Sequence, residues 1–212
     1  MSNKELELSS ISKKLSLISD SDWVAIRFEK EIPASDIKHA RFCEAVYKAR
    51  RTRISLFFGD ICCEGAKRCF GWLKNSDEKL SKRLAEKIGM TQNISLELIK
   101  QVPVLNEEFS GISLGKDIDG DVYISYINPE SAMKLIRCWQ KITGNNLKTE
   151  ISGIMSVCGN VAVKSYLNKN ISISFGCPDS REYGSIEKGQ LVIGIPRNIV
   201  MRLCEYNVNN QL

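Results

Sequence analysis

The chain has 212 residues, 43% hydrophobic and 26% charged, with 30 basic side chains against 25 acidic ones for a net charge of +5. That is enough chain to bury a core without staples, in the proportions of an ordinary globular domain. The basic excess is scattered, its longest cluster being Lys48, Arg50, Arg51 and Arg53, so nucleic acid is not an expected partner. No apolar stretch approaches the ~20 residues that span a bilayer, which argues against a membrane partner as well.

In chain order, residues 1–22 read as an N-terminal amphipathic helix, because Leu8, Ile11, Leu15 and Ile18 recur at helical spacing. The segment has no apolar signal-peptide core and no small-residue cleavage site, so the expected location is the cytoplasm. Residues 23–28 are rich in apolar residues and read as a strand, and 35–51 as a helix. Residues 54–58 alternate and carry β-branched and aromatic side chains, which predicts a strand. Residues 70–116 read as an inserted stretch of helix and loop, with a helix over 79–88 closed by Gly89. Asp117, Asp119 and Gly120 mark a turn, since the ligand count and terminal Glu of a calcium loop are missing. A strand follows at 122–127, then Asn128-Pro129, and a helix over 131–143 before Gly144. Strands are expected again at 171–175 and 191–195, the second running into Pro196 and a final helical segment.

Parts of the chain repeat. Ile54-Ser-Leu-Phe-Phe-Gly59 recurs as Ile171-Ser-Ile-Ser-Phe-Gly176. Cys43 and Cys63 flank the first copy, and Cys158 and Cys177 flank the second at nearly the same separation. In both repeats a later strand hands over to a helix through a proline, a position its fixed φ suits. The expected fold is therefore α+β, a single domain over 1–212 made of two pseudo-symmetric halves. Each half would run helix, strand, Cys loop, strand, helix. The halves would be 23–145, carrying the insertion, and 146–212.

In a cytoplasmic chain eight cysteines point to thiols, metal ligation or redox chemistry rather than disulfides. The repeat singles out Cys43, Cys63, Cys158 and Cys177. Thiolates are soft ligands, and four of them suit zinc or an iron–sulfur cluster. Zinc is the weaker choice, because the chain has no Cys-x-x-Cys pair and a single histidine, His39. Ligands spread singly over a domain favour a cluster, expected as [4Fe-4S]. Gly65 and Gly176 would let backbone N–H groups approach the sulfurs, and Arg181 would offset the cluster's charge. Against this, Cys43 and Cys158 lie in apolar runs where a buried thiol needs no other role. His39 stands four residues before Cys43, within reach on a shared helix face. Cys62 reads as pointing away from Cys63 into packing, and Cys69, Cys138 and Cys204 as core.

The same residues carry a resemblance. Trp23-Val-Ala-Ile-Arg-Phe28, Arg41-Phe-Cys-Glu-Ala-Val46, Cys63-Glu-Gly-Ala66, Asn128-Pro129 with Trp139-Gln140, Phe175-Gly-Cys-Pro-Asp-Ser-Arg181 and Val192-Ile-Gly-Ile-Pro196 span nearly the whole chain. They resemble the domain of unknown function 169 family of archaea and anaerobic bacteria. The family commonly has Pro after the cysteine matching Cys63 and often Gly at the place of Asp179, so Glu64 and Asp179 are local departures. The resemblance implies an anaerobic setting, which suits an oxygen-sensitive cluster.

The expected function is thus electron transfer or small-ligand binding at an iron–sulfur cluster, with a redox partner or a small molecule as counterpart and room for a homodimer. Two alternatives stay open. One is a non-metal small-molecule module with a groove between the halves near Arg50 and Arg181. The other is a thiol enzyme acting through Cys63 or Cys177.

Overall fold

The computed structural model describes residues 3–210 apart from 33, 75 and 107, with side chains from 11 to 206. Its centre is one six-stranded sheet in the order β2-β3-β1-β4-β6-β5, every neighbouring pair antiparallel. The strands are β1 (Val24–Glu29), β2 (Ile54–Phe57), β3 (Gly111–Gly115), β4 (Val122–Ile127), β5 (Ser172–Ser174) and β6 (Leu191–Pro196).

Period-two alternation divides the strand side chains between two cores. Val24, Ile26 and Phe28 of β1 face one core together with Leu56, Ile112, Ile124 and Val192. Ala25, Tyr123, Ile173, Ile193 and Ile195 face the other. This second face is covered by α1 (Asn3–Ser19), α6 (Pro129–Thr143) and α9 (Arg197–Asn210), which pack on one another. Ile11 and Leu15 of α1 are buried there and Ile18 is packed against them, as the spacing predicts; the side chain of Leu8 lies outside the described residues. Asn128 caps α6 by accepting from the Ser131 N–H at 2.8 Å, and Pro129 opens it.

The first face carries α2 (Phe42–Lys48), α3 (Glu64–Cys69), the hairpin of α4 (Asp77–Ile88) and α5 (Gln92–Gln101), and α8 (Pro178–Tyr183). A further helix, Ser156–Val163, lies between these and the sheet with all eight residues buried, and continues as α7 (Lys164–Asn168). It is wound as a π-helix, and its first turn brings the Asn160 N–H to the Met155 carbonyl at 3.0 Å. Gly159 makes the fit possible: a Cβ there would sit 2.4 Å from Val102 Cγ1 and 2.7 Å from Cys69 Sγ.

Three expectations change. The inserted stretch is not only helix and loop, because it contains β3, which lies between β2 and β1. In β3, Ile112-Ser-Leu114 alternates as β2 does, but Gly111 and Gly115 leave only three residues to carry the pattern, and all five are buried. The helix expected over 35–51 is confined to Phe42–Lys48. Upstream of it, Ser35 Oγ accepts from the Phe57 N–H at 2.8 Å and Asp36 accepts from the Ser55 N–H, so this segment covers the edge of β2 instead. The two-fold halves are not confirmed. The repeated strands β2 and β5 lie at opposite edges while β4 and β6 are neighbours. An axis between β4 and β6 would carry β5 onto β1, not onto β2.

Candidate functional site

Cys43, Cys63, Cys158 and Cys177 all line one cavity of about 280 Å³ on the first face of the sheet. Each arrives on a different element. Cys43 is in the first turn of α2, whose position is set from the sheet: the buried Tyr126 hydroxyl of β4 donates to the Cys43 carbonyl at 3.0 Å. Cys63 is the residue before α3, its thiol against the Ala66 N–H. Cys158 comes from the buried π-helix. Cys177 precedes α8; its N–H donates to Ser180 Oγ at 2.8 Å and its Sγ lies 3.4 Å from the same oxygen. Cys43 Sγ approaches the Asp179 carbonyl at 4.0 Å, which joins α2 to α8.

The sulfurs lie close enough to influence one another's charge. Burial pushes the Cys43 thiol well above its ordinary range, and charges on Cys177, Cys158 and Cys63 would push it the same way. Burial also pushes Cys63 up to about 12, with Cys158 adding to it while the Ala66 N–H and Arg41 oppose. A hydrogen bond with Cys69, then burial, holds Cys158 far above the usual thiol range. These three thiols keep their protons at neutral pH. All eight cysteines are free. Among the described residues, no three His, Cys, Asp or Glu side chains are grouped so as to hold a single metal ion.

Further residues complete the site. Met155 has φ +41, rare for a side chain of this size, and its thioether lines the cavity 3.7 Å from Cys69 Sγ. Leu80, Leu84, Ile154 and Val157 form apolar wall. Around the mouth, Asp179 is held by Arg41 Nη1 at 2.8 Å and by Lys87. Glu64 is held by Lys79 at 3.0 Å and by Arg83. Arg41 also lies 4.2 Å over the Tyr183 ring.

The other sequence candidates are placed as follows. Gly65 lines the cavity, where a Cβ would sit 3.3 Å from Met155 Cγ, so its role is to admit Met155. Gly176 takes φ +87 in the turn before Cys177 and is not on the cavity wall. Arg181 is also off that wall; its guanidinium donates to the carbonyls of Phe175, Glu187 and Gln190 and so fastens the loop after α8. Arg50 stacks over Tyr126 at 4.7 Å and Tyr47 at 5.2 Å. His39 has φ +53 and is exposed before α2 begins, so it shares no helix face with Cys43. Cys62 is exposed at the cavity rim instead of packed. Cys69, Cys138 and Cys204 are buried in the two cores, as expected. Arg41 and Asp179 lie inside the quoted motifs beside Cys43 and Cys177, so a signal for them was present; Met155 had none.

The DUF169 family model, described as uncharacterised ArCR, matches residues 15–206. The chain belongs to this family. It is also similar to the uncharacterized protein MJ0308 of Methanocaldococcus jannaschii, with 25% identity over 207 residues, covering 90% of this chain and 89% of that protein. No solved structure matches. Among the described residues no helix is long and apolar enough to cross a membrane.

Proposed function

We propose that Cys43, Cys63, Cys158 and Cys177 hold an iron–sulfur cluster of the [4Fe-4S] type, and that the protein transfers electrons or binds a small ligand there. One observation carries this reading: four cysteines from four separate segments line a single cavity. Their chemistry suits the group, because soft thiolates select iron–sulfur clusters over hard cations. A bound metal would replace the protons that burial keeps on these thiols. Zinc is the weaker choice, since the chain has no Cys-x-x-Cys pair. At the mouth Arg41, Arg83 and Lys87 outnumber the two carboxylates they pair with, Glu64 and Asp179, which leaves a net positive rim for a four-thiolate centre. When bound, the cluster would supply one-electron chemistry. The chain's own residues orient the thiols and exclude water with the Leu80 and Leu84 wall. Free thiols throughout suit a reducing compartment such as the cytoplasm. On this reading the repeated Cys–strand–Cys order is the trace of a duplicated unit whose cysteine loops converge.

The apolar wall of Leu80, Leu84, Ile154 and Val157 gives a second reading its support: a module for a small apolar ligand without metal. A thiol enzyme acting through Cys63 is disfavoured, because a thiol pushed up to about 12 supplies almost no thiolate at neutral pH.

The test is anaerobic reconstitution with iron and sulfide. The expected product is brown, absorbs broadly near ~400 nm and holds about four irons per chain. Serine at any of the four positions lowers iron content, while Cys138→Ser and Cys204→Ser leave it intact. Colourless, iron-free protein after reconstitution overturns the metal reading.

A further inference from the structure

The α4–α5 hairpin stands over the cysteine cavity, and its contacts are unevenly distributed. The two helices pack chiefly on each other, with no comparably extensive contact to another element. Leu80 and Leu84 of α4 reach the cavity wall. Both stems of the hairpin meet at one side chain. Arg68, almost wholly buried, donates to the Asp77 carboxylate at the start of α4 at 2.6 and 3.1 Å, and to the Val102 carbonyl at the end of α5 at 3.0 Å.

Beyond the stems, Leu80, Leu84 and Ile88 of α4 pack on the first-face core, and the helix's exposed face is fastened by charge. Lys79, Arg83 and Lys87 follow one another at four-residue spacing and so share a helix face. Lys79 and Arg83 hold Glu64, the residue after Cys63. One to two turns further on, Lys87 holds Asp179, two residues after Cys177. A single basic stripe therefore grips both cysteine loops across the mouth of the cavity. The three cations are 64%, 60% and 45% exposed, so water and salt reach every one of these pairs.

We infer that the α4–α5 hairpin is a lid on the cysteine cavity, hinged at Arg68 and latched by the Lys87–Asp179 and Arg83–Glu64 pairs. Exposed ion pairs of this kind are individually weak, which is what a latch that must release requires. A buried hinge pair together with exposed latch pairs lets the far end of α4 lift while the stems stay in place. Lifting exposes Cys43 and Cys158 to whatever the cavity takes up. The proposal rests on reading the cavity as the ligand site, yet its test needs no metal.

The experiment measures alkylation of each cysteine by iodoacetamide, peptide by peptide, in metal-free reduced protein. Exposed Cys62 is the fast reference. Buried Cys138 and Cys204, on the opposite face of the sheet, report global opening. Lys87→Ala is expected to speed alkylation of Cys43 and Cys158 about twofold to fivefold, the range set by one exposed pair. In the unaltered protein, raising salt to about 1 M, where the screening length falls to about 3 Å, is expected to have a similar effect. Cys138 and Cys204 should not change. Rates at Cys43 and Cys158 that ignore both the substitution and the salt overturn the lid, as does acceleration shared equally with Cys138 and Cys204. An iron-free reconstitution, by contrast, removes the cluster and leaves these rates as they are.

Discussion

Buried thiols make the metal-free protein sensitive to alkali. Burial raises Cys43 and, on the other face, Cys204, the latter to about 11; Cys63 is pushed up to about 12, and Cys158 is held well above the usual thiol range by its hydrogen bond with Cys69 and by burial. In the unfolded chain each returns to about 8.5. Below that value both states are protonated and the thiols leave stability unchanged. Between it and the folded value only the unfolded chain has lost its proton, so stability falls as pH rises. The loss from pH 8 to pH 10 depends on the unfolded value alone, because all four folded thiols remain protonated throughout. It comes to about 2 kcal/mol per thiol, or roughly 8 kcal/mol for four, comparable with the whole stability of many domains. Anaerobic urea denaturation of reduced, metal-free protein at the two pH values measures it. Cys204→Ala lies outside the cavity and should remove one thiol's share of the pH dependence, whatever it does to absolute stability. A midpoint that holds steady between pH 8 and pH 10 refutes the reasoning.

Two further outcomes are expected. Gly159→Ala gains up to about 1 kcal/mol of helix propensity but drives a methyl into Val102 and Cys69, where overpacking costs about 1–3 kcal/mol; a net loss of about 1 kcal/mol should appear as a lower denaturation midpoint. Arg68→Ala leaves Asp77 and the Val102 carbonyl without their shared donor; because Asp77 keeps access to water, the cost should be roughly 2–3 kcal/mol, below that of a fully buried pair, and limited proteolysis should cut first within 76–102.

The strand positions were legible wherever one face of a strand is wet or the apolar run is long, as in β1, β4 and β6. β3 was not, since its Ile112-Ser-Leu114 repeats the alternation of β2 but is cut to three residues by glycines at both ends. The helix start at Phe42 was missed because Ser35 and Asp36 spend their short polar side chains on the backbone of β2, a contact across 19 to 22 residues that no local pattern encodes. The four cysteines could be picked out because the repeat marks them. The cations that surround them could not, because Lys79, Arg83 and Lys87 look like any solvated helix face until Glu64 and Asp179 are placed opposite. Arg181 misled for the opposite reason: its charge adjoins Cys177 in sequence, but backbone carbonyls occupy it.

The sheet also works as a partition. Cys138 and Cys204 lie behind it with α1, α6 and α9, while the cysteine cavity lies in front. Exposed Met133 on α6 and Met201 on α9 are therefore places to attach a fluorophore or a surface tether without entering the cavity or its lid. The back layer offers an engineer a handle, and the front layer holds the cysteine cavity.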